Sequence, residues 1–370
     1  MRRDETARAL FVTRKWPPAV GGMETYCVEL TKALGVRLPV EVVALPGRAN
    51  GDPPGIAALA GFAFRAAARC LRPQAEVVHI ADMASWPLAW LAALGRSSPA
   101  IVLSAHGTDV AFHRRNTVKG RLYGAYLRLG ARLLRDYRLI ANSSATAAVA
   151  AETGWRNARV VALATDIDQP APTAKHDGSL LFAGRLVERK GCLWFVENVL
   201  PLLPDSVRLK VAGPVWDEAE RAALDHPRVD YLGSLSREEL CAAYRQALCV
   251  IVPNIDPPSG EFEGFGLVAP EAAAAGGLVV AAATGGLSEA VIDGETGFLV
   301  PPADAAAWVS KITEIATWPS AERLGFLTRS WNRARAVFRW SRVADDVIAV
   351  YRTAPKEKFK PAAGQTPAAT

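Results

Sequence analysis

Residues 179–191 read Ser179-Leu180-Leu181-Phe182-Ala183-Gly184-Arg185-Leu186-Val187-Glu188-Arg189-Lys190-Gly191. A short, wholly apolar run meets a glycine, and cations follow. The run predicts a strand over Ser179–Arg185 that is buried on both faces, as in a parallel sheet. Arg185 leaves the carboxyl end of that strand, and Lys190 follows around a tight turn, so both cations can converge on one point. Two fixed cations at one place suit an anion, and a diphosphate fits them. A solvated loop with two exposed charges is the plain alternative.

Outward from this stretch the same alternation continues. Strands are predicted at Arg208–Gly213, Val229–Leu232, Cys249–Pro253, Leu278–Ala282 and Gly297–Val300, with helices in the gaps. An earlier set runs Arg8–Thr13, Val40–Leu45, Glu76–Ala81, Ala100–His106 and Arg138–Ser143, separated by helices at Gly22–Gly35, Ile56–Leu71, Ala84–Gly95 and Thr117–Arg135. Strand–helix alternation argues parallel sheets covered on both faces. The segment Asp166–Gly178, with two prolines and little apolar content, reads as a linker. The fold class is therefore α/β, with two doubly wound Rossmann-like domains, 1–168 and 169–336, facing a central cleft. A helix at 337–353 is expected to pack back on the first domain, and the Lys-, Pro- and Ala-rich residues 354–370 read as a disordered tail. Ligands of such sheets bind beyond the carboxyl ends of the strands, and the cleft is the expected site.

Composition agrees with two globular domains. The chain has 370 residues, half of them hydrophobic, too many for one core. No apolar run reaches the length of a membrane span, and the residues after Met1 lack the apolar region of a secretory signal. The five scattered cysteines fit reduced thiols in a cytoplasm. The net charge of +6 is divided unevenly: residues 1–170 carry 22 Lys and Arg against 13 Asp and Glu, whereas the rest carry 21 against 24. A basic front half suggests an anionic partner such as phosphate or a membrane surface; no nucleic-acid partner is expected.

Several familiar sites are missing from the sequence, including G-x-G-x-x-G after a strand, the P-loop, G-x-S-x-G and H-E-x-x-H. No metal site is expected, since the histidines form no ligand cluster. Three further pieces carry chemistry. Pro257-Pro258-Ser259-Gly260-Glu261-Phe262-Glu263-Gly264-Phe265-Gly266-Leu267 leads into Val268-Ala269-Pro270-Glu271 and an alanine-rich helix. Its glycines let backbone N–H groups approach a ligand, and the helix start presents roughly half a positive charge. Glu271 can accept hydrogen bonds from a ribose diol, and Glu263 can hold a sugar hydroxyl. A carboxylate pair can also serve glycoside hydrolysis, and the spacing could arise by chance beside a helix cap. Gly21-Gly22 follows the first strand, at a turn that allows close approach of phosphate or merely makes a turn. His106-Gly107-Thr108-Asp109 ends the fourth strand, where His106 can reach a sugar hydroxyl or serve the structure.

Taken together, Glu263-x7-Glu271 around Gly-Phe-Gly, Gly184-Arg185-Leu186 with Lys190-Gly191, Gly21-Gly22, His106-Gly107 and Gly285-Gly286-Leu287-Ser288-Glu289 resemble glycosyltransferase family 4, the retaining sugar-nucleotide-dependent transferases of the GT-B fold. The resemblance spans roughly residues 10–350 and keeps the family's order. It implies that Arg185 and Lys190 neutralise a donor diphosphate and that Glu271 holds the nucleotide ribose. It also implies that Glu263 and the N–H groups of Gly264, Phe265, Gly266 and Leu267 grip the donor sugar or phosphate. By the same resemblance His106 touches the transferred sugar and Gly21-Gly22 packs on the diphosphate. The catalytic set is then His106, Arg185, Lys190 and Glu263. The donor is the co-substrate, with no further cofactor and no metal, and the acceptor is a hydroxyl of a glycan, a lipid-linked molecule or a small molecule. His79, Asp82 and Asp109 are expected on the acceptor side. Relatives often work on lipid-linked or lipopolysaccharide acceptors, which implies a cytoplasmic enzyme, peripheral on the inner face of the membrane.

The sequence departs from the family in three places. Glu261 adds an acid before Gly-Phe-Gly, Gly276-Gly277-Leu278 replaces a common G-x-P, and Ala164-Thr165 stands where Asn-Gly is usual. Over 114–138, Arg121, Arg128, Arg132 and Arg135 share one helical arc, and Leu122, Tyr126, Leu129 and Leu133 the next. The expected arrangement is a solvated Arg face with the apolar stripe toward the core; a membrane-lying helix is the alternative. Two rival functions are a sugar-nucleotide epimerase on a similar fold, whose relatives lack Glu-x7-Glu, and a non-catalytic partner subunit, which would be expected to have lost Arg185, Lys190 or Glu271.

Overall fold

The structure is a computed structural model that describes residues 8–19, 21–48, 54–95 and 97–353. The expected tail at 354–370 and the first residues of the chain lie outside the described residues. Two six-stranded parallel sheets carry the fold. The first contains β1 (Ala9–Trp16), β2 (Val40–Pro46), β3 (Val77–Ile80), β4 (Ala100–Ala105), β5 (Arg138–Ala141) and β6 (Ala158–Val160), in the spatial order β2-β1-β3-β4-β5-β6. The second contains β7 (Leu180–Ala183), β8 (Leu209–Ala212), β9 (Val229–Gly233), β10 (Cys249–Val252), β11 (Val279–Ala282) and β12 (Phe298–Val300), in the order β12-β11-β10-β7-β8-β9.

Every residue of β3, β4, β7, β10 and β11 is buried. This follows from their composition, because Val77-Val78-His79-Ile80, Cys249-Val250-Ile251-Val252 and Val279-Val280-Ala281-Ala282 have no solvent-facing alternation and must be covered on both faces. Parallel pairing runs in register along β7 and β10, with Leu181 opposite Val250 and Phe182 opposite Ile251. The strand order reverses between β7 and β10 in the second sheet and between β1 and β3 in the first. These reversals are the topological switch points, where the loops leaving neighbouring strands part in opposite directions and open a crevice.

The described chain divides into two compact units. One holds residues up to Ser104, with Leu127–Ile140 and the chain from Val347; the other holds Ala105–Tyr126 and Ala141–Asp346. Residues 161–178 have no regular secondary structure, in agreement with their proline content.

The helix Val118–Leu133 differs from expectation. Its apolar stripe does not face inward: Leu122 is 65% exposed, and Leu129 and Leu133 are exposed as well. Gly120, Gly124, Leu127 and Gly130 are buried instead. A side chain on Gly120 would meet the Arg115 carbonyl at 2.3 Å. Glycine there lets the start of the helix lie close against the turn that precedes it.

Candidate active site

The two loops of the second switch point hold most of the chemistry. After β7, Gly184 takes a backbone conformation open only to glycine (φ 146°), and Leu186 donates its N–H to the Pro214 carbonyl at 2.9 Å. The loop is thus fastened to the segment following β8. Glu188–Lys190 then make one 3-10 turn that ends at Gly191 in the left-handed region (φ 66°). A Cβ at Gly191 would lie 2.1 Å from the Pro253 carbonyl, so only glycine lets this turn seat against the end of β10.

That seating delivers Lys190 to Glu263. The ammonium lies 2.5 Å from Glu263 Oε2, and Asn254 Nδ2 donates to the same oxygen at 3.1 Å. Burial alone would raise the Glu263 pKa. The charges of Lys190 and Arg189, together with the hydrogen bonds from Lys190 and Asn254, outweigh it and hold the carboxyl below its ordinary value. The extra acid, Glu261, lies between two other cations: Arg115 bonds one of its oxygens, and Arg189 is 3.5 Å from the other. Arg185 has a different setting. It is exposed, and its guanidinium stands 4.4 Å over the Trp216 ring, a cation–π stack between the loops after β7 and β8.

The Gly-Phe-Gly segment is clamped by backbone. Gly286 N–H donates to the Glu263 carbonyl at 2.8 Å. A Cβ on Gly286 would lie 2.2 Å from the Gly264 carbonyl, and one on Gly264 would lie 2.2 Å from the His106 carbonyl. The bare face of Gly266 is filled by Leu287. The glycines expected to open the backbone to a ligand therefore also admit neighbouring protein. Asn142 Nδ2 and the Thr146 hydroxyl approach the His106 and Gly264 carbonyls at 3.4 Å, completing the clamp.

Behind this loop, Glu271 lies in the first turn of the helix Val268–Ala275. Burial raises its pKa to about 7, with Asp166 adding to the rise and Arg237 and Lys190 opposing it. Arg237 is itself tied to Asp166 at 2.6 Å. Near neutrality Glu271 can therefore accept a hydrogen bond as a carboxylate or donate one as an acid.

The other predicted residues are placed as follows. His106 follows β4, and its N–H donates to Asp109 Oδ1 at 2.8 Å, so that Asp109 fastens the turn after the strand. In the first unit, Gly21 precedes and Gly22 begins the helix Gly22–Gly35, after the loop leaving β1. His79 is fully buried within β3: Nδ1 is 2.7 Å from the Tyr351 hydroxyl and Nε2 is 2.7 Å from the Ser104 hydroxyl. Asp82 is also fully buried, paired with Arg14 at 2.7 Å and accepting from the Ser85 hydroxyl. Both acceptor-side candidates of the first switch point thus have protein partners. All five cysteines are buried thiols, and burial raises Cys27, Cys70 and Cys249 to about 12. Among the described residues no three His, Cys, Asp or Glu side chains gather as metal ligands.

Sequence reasoning missed Asn254 and Asn142, and it singled out Gly285-Gly286 without the backbone contact that Gly286 makes to Glu263. The side-chain oxygens of both asparagines are buried without a hydrogen-bond partner, an unusual state for an amide. The position of Asn254, just beyond a strand at the switch point, was the signal that could have marked it.

Comparison with known families agrees with this geometry. Residues 177–317 match the family described as "Glycosyl transferases group 1", and residues 20–169 match "Glycosyltransferase Family 4". The chain belongs to this glycosyltransferase family. A D-inositol 3-phosphate glycosyltransferase of Mycolicibacterium smegmatis is 41% identical over 127 residues, 34% of this family member and 27% of that relative. The match spans about a quarter of the relative's length. Two solved structures share the fold over 94% of the chain. Sucrose-phosphate synthase from Thermosynechococcus elongatus has a TM-score of 0.73 at 22% identity, covering 98% of that chain. Anabaena HepE, solved in complex with UDP and glucose, has a TM-score of 0.70 at 18% identity, covering 100% of that chain. The fold is GT-B.

Proposed function

We propose that the protein transfers a sugar from a nucleoside-diphosphate sugar to an acceptor hydroxyl, with retention of anomeric configuration and without a metal. The observation that carries this reading is the buried Lys190–Glu263 pair at the switch point, with Arg185 on the same loop. In this reading a donor phosphate oxygen replaces the Glu263 carboxylate on Lys190. Glu263 is thereby released toward the sugar hydroxyls, and Arg185 supplies the second positive charge. Glu271 holds the ribose, the N–H groups of Phe265, Gly266 and Leu267 meet the donor, and His106 touches the transferred sugar.

The bond that breaks joins the anomeric carbon to the β-phosphate oxygen, and the bond that forms joins that carbon to the acceptor oxygen on the same face. The departing phosphate oxygen takes the acceptor's proton, so no protein base is required. Fixed cations stabilise the charge that develops on the leaving diphosphate. The UDP and glucose bound to HepE make a uridine donor the first to test. A glycan, lipid-linked or small-molecule acceptor at a cytoplasmic membrane face fits the basic front half of the chain. A thermal-shift panel of sugar nucleotides, followed by donor hydrolysis without acceptor, tests the reading. Stabilisation by one donor with slow hydrolysis supports it, and indifference to every sugar nucleotide refutes it.

A further inference from the structure

We infer that the outer face of the helix Ile56–Leu71 is a docking surface for an anionic lipid bilayer. This rests on the membrane-facing part of the reading above and gives it a location. The helix buries Phe62, Ala66 and Cys70 against the first unit. At about 100° per residue the opposite arc carries Ala57, Ala60, Gly61, Phe64, Ala68 and Leu71. An ordinary surface helix is polar there. Here Phe64 is 77% exposed, Leu71 is 43% exposed, and Ile56 at the helix start is 86% exposed. Leu94, at the end of the helix Trp86–Leu94, is 57% exposed, and a Cβ on the next residue, Gly95, would lie 2.9 Å from the Leu71 carbonyl, so the two helix ends lie side by side.

Charge decides what covers this face. From residue 53 to residue 75 the chain has no Asp or Glu, and its charged side chains are Arg65, Arg69 and Arg72. Arg69 bonds Glu41 beside the sheet, whereas Arg65 is exposed on a flank of the apolar arc and Arg72 is exposed just past the helix end. A second copy of this face would bring arginine against arginine. An anionic bilayer instead offers phosphate groups to the arginines and an acyl boundary to Phe64 and Leu71, as for an interfacial helix.

The test is co-sedimentation of the full chain with phosphatidylcholine vesicles, with and without phosphatidylglycerol, at low and high salt. The wild type is expected to sediment with phosphatidylglycerol vesicles at low salt and to be released by salt. The Phe64→Glu, Leu71→Glu double variant should partition at least about tenfold less, since each buried side chain of this size contributes that much. The Arg65→Glu, Arg72→Glu variant should lose the preference for phosphatidylglycerol. Absence of wild-type binding overturns the inference. So does undiminished binding of the Phe64/Leu71 variant, loss seen only with Leu122→Glu and Leu129→Glu, or a wild-type dimer that the Phe64 change splits. Donor hydrolysis measured on the same proteins separates the two readings. Hydrolysis retained while vesicle binding is lost supports this surface. Vesicle binding without donor recognition in any variant sinks the transferase reading and leaves the surface standing.

Discussion

The ammonium of Lys190 lies 2.5 Å from a Glu263 carboxylate oxygen, and both side chains are largely shielded from water. Removing one member strands the other as a buried charge, at a cost of about 3–5 kcal/mol in comparable pairs. Lys190→Met is therefore expected to destabilise the protein by about 3 kcal/mol in urea unfolding. Adding Glu263→Gln to Lys190→Met should recover part of that loss, and donor hydrolysis should vanish in both. Additive losses would show that the two residues do not act as a pair.

Glu271 gives a signature in pH. Its folded pKa of about 7 lies above the unfolded carboxyl value near 4.3, so ionisation penalises the folded state. The penalty is absent below the unfolded value, grows as pH rises between the two, and is complete above the folded value. Glu271→Gln should match the wild type at low pH and exceed it at pH above about 7, by at most a few kcal/mol. Thermal melts across that range check the sign, and the same variant should lose donor affinity.

Arg185 is exposed and stacked on Trp216, so its removal leaves the core untouched. Arg185→Ala should lower donor turnover by orders of magnitude with an unchanged melting temperature. Trp216→Ala should lower it less, because the arginine stays while the ring that orients it is lost; a contact of this kind is worth about 0.5–2 kcal/mol. Wild-type turnover in Arg185→Ala would move the phosphate site elsewhere.

Gly286 has no room for a methyl group, and its N–H holds the Glu263 carbonyl. Gly286→Ala should displace the Gly-Phe-Gly segment and destabilise by about 1–3 kcal/mol, with loss of donor binding. Gly294→Ala is the control. Nothing lies near its Cβ position, although φ 73° makes it mildly strained, and it should keep donor binding.

The sheets were legible because their central strands are unbroken apolar runs: the strand read at Ser179–Arg185 is β7 trimmed at its ends. β6 escaped notice because Ala158-Arg159-Val160 is too short and too polar to show a period. The site was readable where residue type and spacing act locally, as in Lys190 and the two glutamates. It was unreadable where chain segments far apart meet through bare backbone, as at Gly264 against His106 and Gly286 against Glu263. The outward leucines of Val118–Leu133 were misjudged for a related reason. Periodicity weighs side chains by greasiness, whereas the buried face there carries Gly120, Gly124 and Gly130, which have none.

The hydrogen bond between Tyr351 and His79 joins positions 272 residues apart, so the interior of β3 is partnered by a helix that lies far along the chain. A fragment stopped before Tyr351 would lose that hydrogen bond and the edge-on ring contact at 5.6 Å from the centre of its sheet. The first unit is thus no free-standing cassette: it draws on three separated stretches of chain, and expressing it by truncation calls for splicing the helix that carries Tyr351 back in.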